Sequence, residues 1–463
     1  MNFAVLLDFG STYTKVVCVD LNARRVVLSD KYPSTVHEDA GIALNKCLSA
    51  AESVLGKENL KNALKLSTSS AAGGLRIAVC GLTESLSMKA GRNASFGAGG
   101  KVVQTCTGRL TESDLAAVLA ADAEILLLCG GYEGGNSALV LENAKLIRES
   151  MLHIPVIYAG NSEAAKTVRQ MFQSHGKECF LAENMIPDIG KLNIDSAVSI
   201  IRDLFMSRIT NMKGVGVVKK VVDGPIVPTP AAVLAAGELL CKGTEQEAGI
   251  GPYMLADIGG ATTDIYSFGE DESYLGAKKV GVPEPFAKRT VEGDMGMRES
   301  SSCLMQEVGA EIFARKCGMS VLEVEEAIEK RTKVREYVAD SEAERKIDFE
   351  IAANAVGISA RRHAGTCTKE FYGGCNLVQR GKNLSEIRKI IGTGGILVNN
   401  GKAVAEKILK NAELCEKEKN TVLLPERLEA LVDEDYIFFA AGLLRAYDED
   451  TALAIMKESI GRK

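Results

Sequence analysis

Apolar residues in this chain fall into short runs that end at glycine, separated by longer stretches whose apolar positions recur every three to four residues. The run AVLLDFGSTYTKVVCVD (4–20) reads as a strand, a tight turn and a second strand, a hairpin with hydroxyls at its tip. RRVVLSDKYPS continues the β pattern, residues 42–64 carry a helical period, and LRIAVCGL (75–82) is a further strand. Between about 112 and 187 the alternation becomes strict. EILLLCGG leads into NSALVLENAKLIRES, IPVIYAG into NSEAAKTVRQMFQS, and ECFLAENMI closes the series. That βαβαβ order predicts a parallel sheet covered by helices.

A second hairpin follows a helical region: YMLADIGGATTDIYSF (253–268). Residues 299–364 are mostly helical and charged, and VLEVEEAIEKRTKVREYVADSEAERK reads as a solvated helical face. The last quarter holds a strand and glycine turn, IRKIIGTGGILVNN, and a closing helix around IFFAAGLLRAY.

Composition narrows the class. The 463 residues are 46% hydrophobic and 25% charged, enough to build a core, and imply two to three domains. Aromatics are 5% with no Trp, while glycine contributes 45 residues, which favours a turn-rich α/β protein. A net charge of −6 gives no global basic footprint for nucleic acid. No apolar run approaches the ~18 residues of a membrane span, and the start has no basic leader. The expectation is a soluble, cytoplasmic protein without membrane or nucleic-acid partners. Twelve cysteines contain no CxxC pair and there are four His, so reduced, buried thiols are expected rather than a zinc site.

Chemistry concentrates in a repeat. Leu7-Asp8-Phe9-Gly10-Ser11-Thr12-Tyr13-Thr14-Lys15 and Ala256-Asp257-Ile258-Gly259-Gly260-Ala261-Thr262-Thr263-Asp264 each put Asp, Gly and hydroxyls at a turn between two strands. Glycines let backbone N–H groups approach phosphate oxygens, and hydroxyls add donors. The carboxylates suit a hydrated Mg²⁺. Two such turns facing each other would clamp a polyphosphate from both sides. Neither is a Walker loop, because GxxxxGK[ST] is absent. Pro230–Gly237 is a small-residue helix, Ile391-Gly392-Thr393-Gly394-Gly395-Ile396 a glycine turn able to lie against an adenosine, and Phe439–Gly442 opens a helix that returns to the first half.

In this order, these segments resemble the actin, sugar-kinase and heat-shock-chaperone ATPase superfamily. The resemblance implies an α/β fold of two lobes built from duplicated ribonuclease-H-like domains, with ATP and Mg²⁺ in the cleft. Lobe I is expected over 1–240, with an inserted α/β module near 112–190. Lobe II covers 241–435 with a helical insertion near 299–364, and a C-terminal helix, 436–463, returns toward lobe I. Asp8 and Asp257 match the carboxylates that hold Mg²⁺ through water. Gly10, Ser11, Thr12 and Lys15 match the first phosphate loop. Gly259, Gly260, Thr262 and Asp264 match the second, with Thr262 beside Asp8 and Asp257 at the reacting end, and Gly392, Gly394 and Gly395 match the adenosine turn. The chaperones place Glu in a Glu-Pro-Thr-Ala-Ala pattern before the connecting helix. Here the chain reads Val227-Pro228-Thr229-Pro230, which leaves the water-orienting base unassigned and predicts slow hydrolysis. Asp223 lies nearby and reads as a turn cap.

LDFGSTYTKV, SSAAGGLRIAVCGL, GGKVVQTCTGRL, ILLLCGGYEGGN, VIYAGN, PTPAAVLAAG, DIGGATTD and KRTVEGDMGMR resemble one branch more closely, the glutamate mutase accessory proteins called GlmL or MutL, unrelated to mismatch-repair MutL. The resemblance implies a Mg²⁺-dependent ATPase that acts as a reactivating factor for the subunits of an adenosylcobalamin-dependent mutase, glutamate mutase or a related aminomutase. The inserted module, with turns at Gly130–Gly135 and Tyr158–Asn161, is the candidate contact with the mutase or its cobalamin; as ordinary helix-initiating loops, the same turns would have Asn136 and Ser162 near the caps. Arg361-Arg362-His363 reads as a surface helix with a packed His. The alternatives are a small-molecule kinase of the same fold, an actin-like filament protein, and an activator ATPase of a radical dehydratase.

Overall fold

The computed structural model describes residues 2–10, 12–36, 38–70, 75–209, 215–334, 337–370, 376–419 and 421–461. β1 (Phe3–Phe9), β2 (Tyr13–Asp20) and β3 (Arg25–Pro33) form an antiparallel meander. Asp39 starts α1 (Ala40–Leu55) by accepting the Gly41 N–H at 2.7 Å, and Gly56, at φ +77°, ends it. α2 (Lys57–Asn62) follows that break, so the single helix expected over 42–64 is two, and Leu64 already belongs to β4 (Leu64–Ser69). β4 pairs in parallel with β1.

The chain then leaves this sheet. β5 (Arg76–Gly81), α3 (Lys89–Gly97), β6 (Lys101–Thr107), α4 (Glu112–Ala120), β7 (Ile125–Cys129), α5 (Ala138–Glu149), β8 (Val156–Tyr158), α6 (Ser162–Gln173) and β9 (Cys179–Leu181) build an all-parallel sheet of order β6-β5-β7-β8-β9. This sheet starts at Arg76, upstream of position 112, and LRIAVCGL lies inside it. Its middle strand β7 is buried along its whole length, as helices on both faces require. After α7 (Asp195–Ile209) and α8 (Val215–Val221), the two-residue strand β10 (Val227–Pro228) rejoins β4 and completes the order β10-β4-β1-β2-β3.

α9 (Thr229–Lys242) crosses to a second sheet. β11 (Tyr253–Ile258) and β12 (Thr263–Phe268) form its hairpin, β13 (Ala277–Val280) leaves it, and β14 (Ala287–Glu292) returns. α10 (Ser301–Val308), α11 (Ala310–Cys317), α12 (Val321–Lys333) and the long α13 (Glu342–His363) follow, α13 burying Ile347, Ile351 and Val356 in the lobe II core. β15 (Thr366–Glu370) and β16 (Asn376–Arg380) make a separate small sheet with β13. β17 (Lys389–Thr393), α14 (Gly395–Val398), α15 (Lys402–Leu409) and β18 (Glu429–Val432) complete the order β14-β12-β11-β17-β18. α16 (Phe438–Leu444) and α17 (Glu449–Gly461) close the chain.

The two strand orders are one topology used twice. The first three strands are antiparallel, and the fourth and fifth run parallel on the far side of the first. This is the duplicated ribonuclease-H-like, two-lobe α/β fold that the resemblance implied. The repetition extends to single residues. Asp8 pairs with Lys15 on β2 and Thr68 on β4, and Asp257 pairs with Asp264 on β12 and Thr393 on β17.

Two features join the lobes. A shared core packs Leu6 and Val17 of lobe I and Leu255 and Phe268 of lobe II against α9, α16 and α17. α9 and α16 cross so closely that a Cβ at Gly442 would lie 1.9 Å from the Ala232 carbonyl oxygen, and α9 packs on β12 so closely that a Cβ at Gly237 would lie 2.0 Å from the Phe268 ring. The parallel module, although inserted in lobe I, is also held by lobe II. Val282, between β13 and β14, is buried in one cluster with Val79 and Met88, and Glu284 meets Lys89 of α3 at 2.6 Å.

Gly442→Ala should destabilise the protein by about 1–3 kcal/mol, the ordinary cost of overpacking. Gly216→Ala, on an exposed helical position with nothing within 4 Å, should be neutral or slightly stabilising. Urea unfolding of the two variants side by side checks this; equal midpoints would show that the helix crossing tolerates a methyl group.

Candidate functional site

Each lobe offers the turn between its first two strands. In the first, the Gly10 N–H donates to the Tyr13 carbonyl at 3.0 Å; in the second, the Gly259 N–H donates to the Thr262 carbonyl at 2.9 Å. Glycine is required at position 10 by contact: a Cβ there would lie 2.7 Å from the Tyr13 oxygen. Gly260 has nothing within 4 Å on its Cβ side and leaves its turn open. The carbonyls of the second turn are occupied from behind. Met297 N–H donates to Gly259, Arg298 and Glu299 N–H donate to Gly260, and Ser300 Oγ donates to Ala261.

Asp8 is 1% exposed. A carboxylate in that position is costly unless its lone pairs are filled. Thr68 Oγ1 donates to Oδ1 at 2.9 Å, Thr229 Oγ1 donates to the same oxygen at 2.7 Å, and Lys15 Nζ donates to Oδ2 at 3.2 Å. Burial works against the Lys15 charge, but Asp8, Asp257 and Asp433 outweigh it and hold the ammonium above its ordinary value.

Asp257 has no such set of partners. Among the described residues no hydrogen bond to its side chain is formed, and burial, then the Asp264 charge, push its carboxyl up to about 6. Asp264 is neutralised instead. Arg289 donates to its Oδ2 through Nε at 3.1 Å and Nη2 at 2.7 Å, while Oδ1 is buried and, among the described residues, has no hydrogen-bond partner. The other Arg289 nitrogen, Nη1, donates to the Gly100 carbonyl at the start of β6, so the second turn is tied to the parallel module.

The third glycine turn closes the site from the lobe II side. Gly394, at φ +112°, packs where a Cβ would lie 2.4 Å from the Ile258 carbonyl, so this turn lies against the end of β11. Gly395 opens toward Tyr436. Gly392 does not face the cleft with its open side: a Cβ there would strike Leu397 at 2.5 Å and Leu409 at 2.9 Å, so core packing requires this glycine. Thr12 is exposed at the tip of the first turn, and Thr262 sits at the second. Ser11 lies outside the described residues.

Four participants were missed in the sequence: Thr68, Thr393, Asp433 and Tyr436. Asp433 follows β18, as Thr229 follows β10. It is buried, its Oδ1 accepts Ile437 N–H at 3.1 Å and Ser459 Oγ at 2.9 Å, and burial pushes its carboxyl up to about 6.

Other candidate residues have local duties. Asp223 accepts the Lys65 N–H at 2.8 Å at the start of β4. Arg362 is bound to Glu292, Asp294 and Glu307, Arg361 to Glu418, and His363 is buried between Ser267 and Thr290. In the module, Asn161 donates to the Gly135 carbonyl, Asn184 to the Gly131 carbonyl, and Glu133 accepts the Ser162 N–H. The described cysteines are free thiols, with Cys303 and Cys415 exposed and the others buried. No described helix is long and apolar enough to cross a membrane.

Compared with known proteins, residues 4–460 match a family model described as MutL protein. A curated relative, Protein MutL of Clostridium tetanomorphum, is 35% identical over 460 residues, 99% of each chain. Among solved structures, a gluconate kinase from Lactobacillus acidophilus covers 98% of this chain and 91% of its own at 8% identity and a TM-score of 0.33. An acetate kinase from Porphyromonas gingivalis covers 97% and 100% at 11% identity and a TM-score of 0.27. At these scores neither carries any argument, and the fold rests on its strand orders.

The raised Asp257 carboxyl gives a pH signature. A carboxyl whose folded value lies above its unfolded one stabilises the fold when protonated and loses that contribution as pH rises through the folded value. Asp257→Asn should therefore be more stable than wild type at pH 8, and unfold at higher temperature, with a free-energy gap of no more than about 3 kcal/mol at ~1.4 kcal/mol per unit. The gap should narrow through pH 6 and close near pH 4. A gap independent of pH would assign the effect to packing.

Proposed function

The chain belongs to the MutL protein family, and from that premise and the geometry of the cleft we propose that it is an ATP-binding accessory protein that services an adenosylcobalamin-dependent mutase. The observation that carries the nucleotide reading is the repeated rung of residues at the ends of β1 and β11. Two glycine turns, each preceded by an aspartate, flank one lysine ammonium that three carboxylates hold charged.

The residues fit a nucleotide with Mg²⁺. Mg²⁺ keeps several of its waters and is bound through one or two carboxylates together with phosphates, which is the donor set that Asp8 and Asp257 offer. When bound, the ion would neutralise phosphate charge and favour its transfer to water. Lys15 would neutralise a phosphate oxygen, the open Gly260 turn would present its backbone donors, and Thr262 would add a hydroxyl. Gly394 and Gly395 would border the nucleoside. Thr229 stands where a water-orienting carboxylate is found in the chaperones, and its hydroxyl is engaged by Asp8. Hydrolysis is accordingly proposed to be slow.

Service to the mutase would be a cycle of affinities rather than covalent chemistry. Closure of the lobes around a triphosphate moves lobe II, and lobe II grips the parallel module through Val282, Glu284 and Arg289. A coupling of ~1–3 kcal/mol between nucleotide and partner changes partner affinity about 5- to 150-fold. Release of damaged cobalamin from glutamate mutase or a related aminomutase is the work such a cycle would do.

Thermal unfolding with Mg-ATP, Mg-ADP and no nucleotide tests the first step. A ligand at ~100 times its dissociation constant should stabilise the wild type by ~2.7 kcal/mol, and Asp8→Ala and Asp257→Ala should abolish that shift. Absence of any shift in the wild type would remove the ATPase reading. Binding to purified mutase subunits should then differ at least 5-fold between the two nucleotides, and equal binding would reject the nucleotide-driven cycle.

A further inference from the structure

Tyr436 occupies an unusual place for a bulky residue. Its backbone is left-handed, at φ +54°, a conformation that favours glycine and that costs free energy in a tyrosine. The turn that imposes it is short: Asp433 caps α16 through Ile437 N–H, and Tyr436 N–H donates to the Asp433 carbonyl at 3.4 Å. The side chain is thereby turned into the cleft. Lys15 Nζ lies 5.3 Å from the ring centroid, Lys31 Nζ lies 5.3 Å from it, and the phenol oxygen lies 3.5 Å from where a Cβ of Gly395 would stand. The ring therefore spans the gap between the first phosphate turn and the open side of the nucleoside turn. The lysines fix the ring by its faces. Among the described residues nothing hydrogen-bonds the half-buried phenol.

We propose that Tyr436 is a specificity-determining residue whose phenol donates a hydrogen bond to a sugar hydroxyl of the bound nucleotide. The inference rests on the nucleotide reading above. A ligand with phosphates at Lys15 and a nucleoside at Gly395 must pass its sugar along this ring, because Lys15 lies over the ring at 5.3 Å and the phenol oxygen lies beside Gly395. Burial and the carboxylates of Asp257 and Asp433 hold the phenol well above its ordinary value, so it remains a proton donor throughout the working range.

The test is a cycle of two substitutions, one in the protein and one in the ligand. Calorimetric titration of wild type and Tyr436→Phe with Mg-ATP, Mg-2′-deoxyATP and Mg-3′-deoxyATP reads the contact directly. Wild type should prefer ATP over one deoxynucleotide by about 2- to 13-fold, the range of one neutral hydrogen bond. Tyr436→Phe should bind ATP as weakly as that deoxynucleotide and no longer discriminate between them. Tyr436→Gly relieves the backbone strain while giving up the ring and its lysine contacts; its unfolding transition shows that it is folded, and it should show the same lost discrimination. Unchanged ATP affinity in Tyr436→Phe, or weakened affinity with the sugar preference intact, would overturn the assignment while leaving the nucleotide reading in place. Failure of the wild type to bind Mg-ATP would overturn both.

Discussion

A carboxylate near the end of a strand buried from Ala4 onward is the constraint on which this cleft depends. Asp8 is expensive to remove from water, and the surrounding chain supplies an ammonium and two hydroxyls that come from three separate elements: β2, β4 and the start of α9. Lys15 sits directly across the hairpin, Thr68 arrives through the parallel pairing of β4, and Thr229 arrives because β10 joins that same strand one residue earlier. The fold of lobe I thus converges on one buried charge. The repeat in lobe II keeps the frame but not the charges. Its counterpart to Lys15 is Asp264, so Asp257 faces a like charge across the hairpin, an arrangement that is destabilising unless a cation intervenes. Arg289 neutralises Asp264, and among the described residues Asp257 has no hydrogen-bond partner of its own. This asymmetry in a symmetric frame, with Asp8 hydrogen-bonded and Asp257 not hydrogen-bonded among the described residues, is what the proposed Mg²⁺ site would draw on.

Arg289 also explains how the parallel module relates to the cleft. Its guanidinium plane is divided, with two nitrogens on Asp264 and the third on the Gly100 carbonyl. A planar fork cannot follow both partners if they separate. Movement of the second turn therefore bears on the module. The segment around Val282 and Glu284 adds an apolar anchor and an ion pair in the same direction. Insertion in lobe I and attachment to lobe II place the module across the line along which the lobes would open.

What the sequence reveals of this site follows from how local each feature is. The hairpins, with an aspartate, a glycine and hydroxyls within nine residues, carry their whole signal in one stretch, and the part of the parallel module from α4 to β9 is legible from its alternation, whereas β5 and β6 are not recognised as part of it. Thr68 and Thr393 carry none. They reach the cleft through the register of a parallel strand, one pairing 60 residues away in sequence, and a threonine in an apolar run looks like any other strand residue. Asp433 and Tyr436 are hidden in the acidic run DEDY, which reads as solvated surface. Gly392 errs in the opposite sense: its place in a glycine-rich turn suggests a ligand, whereas Leu397 and Leu409 take the space. The break at Gly56 is a local signal, a glycine inside a helical period, outweighed there by the apolar pattern on both sides.

Thr229 brings the electrostatics and the proposed mechanism together. Its oxygen lies 2.7 Å from Asp8, and a carboxylate oriented in the same way would face Asp8 at a separation where two acids cannot both ionise. A hydroxyl there fills a lone pair of Asp8 and brings no second charge into lobe I. The consequence falls on lobe II, where the acids with raised values near 6, Asp257 and Asp433, lie. Asp433 is committed to the start of α16, which leaves Asp257 as the acid available to a water in the cleft. A site with one such acid, itself drawn toward a cation, would release a bound triphosphate's terminal group slowly. Slow turnover suits a protein whose proposed task is to hold a partner in one state long enough for a large cofactor to leave.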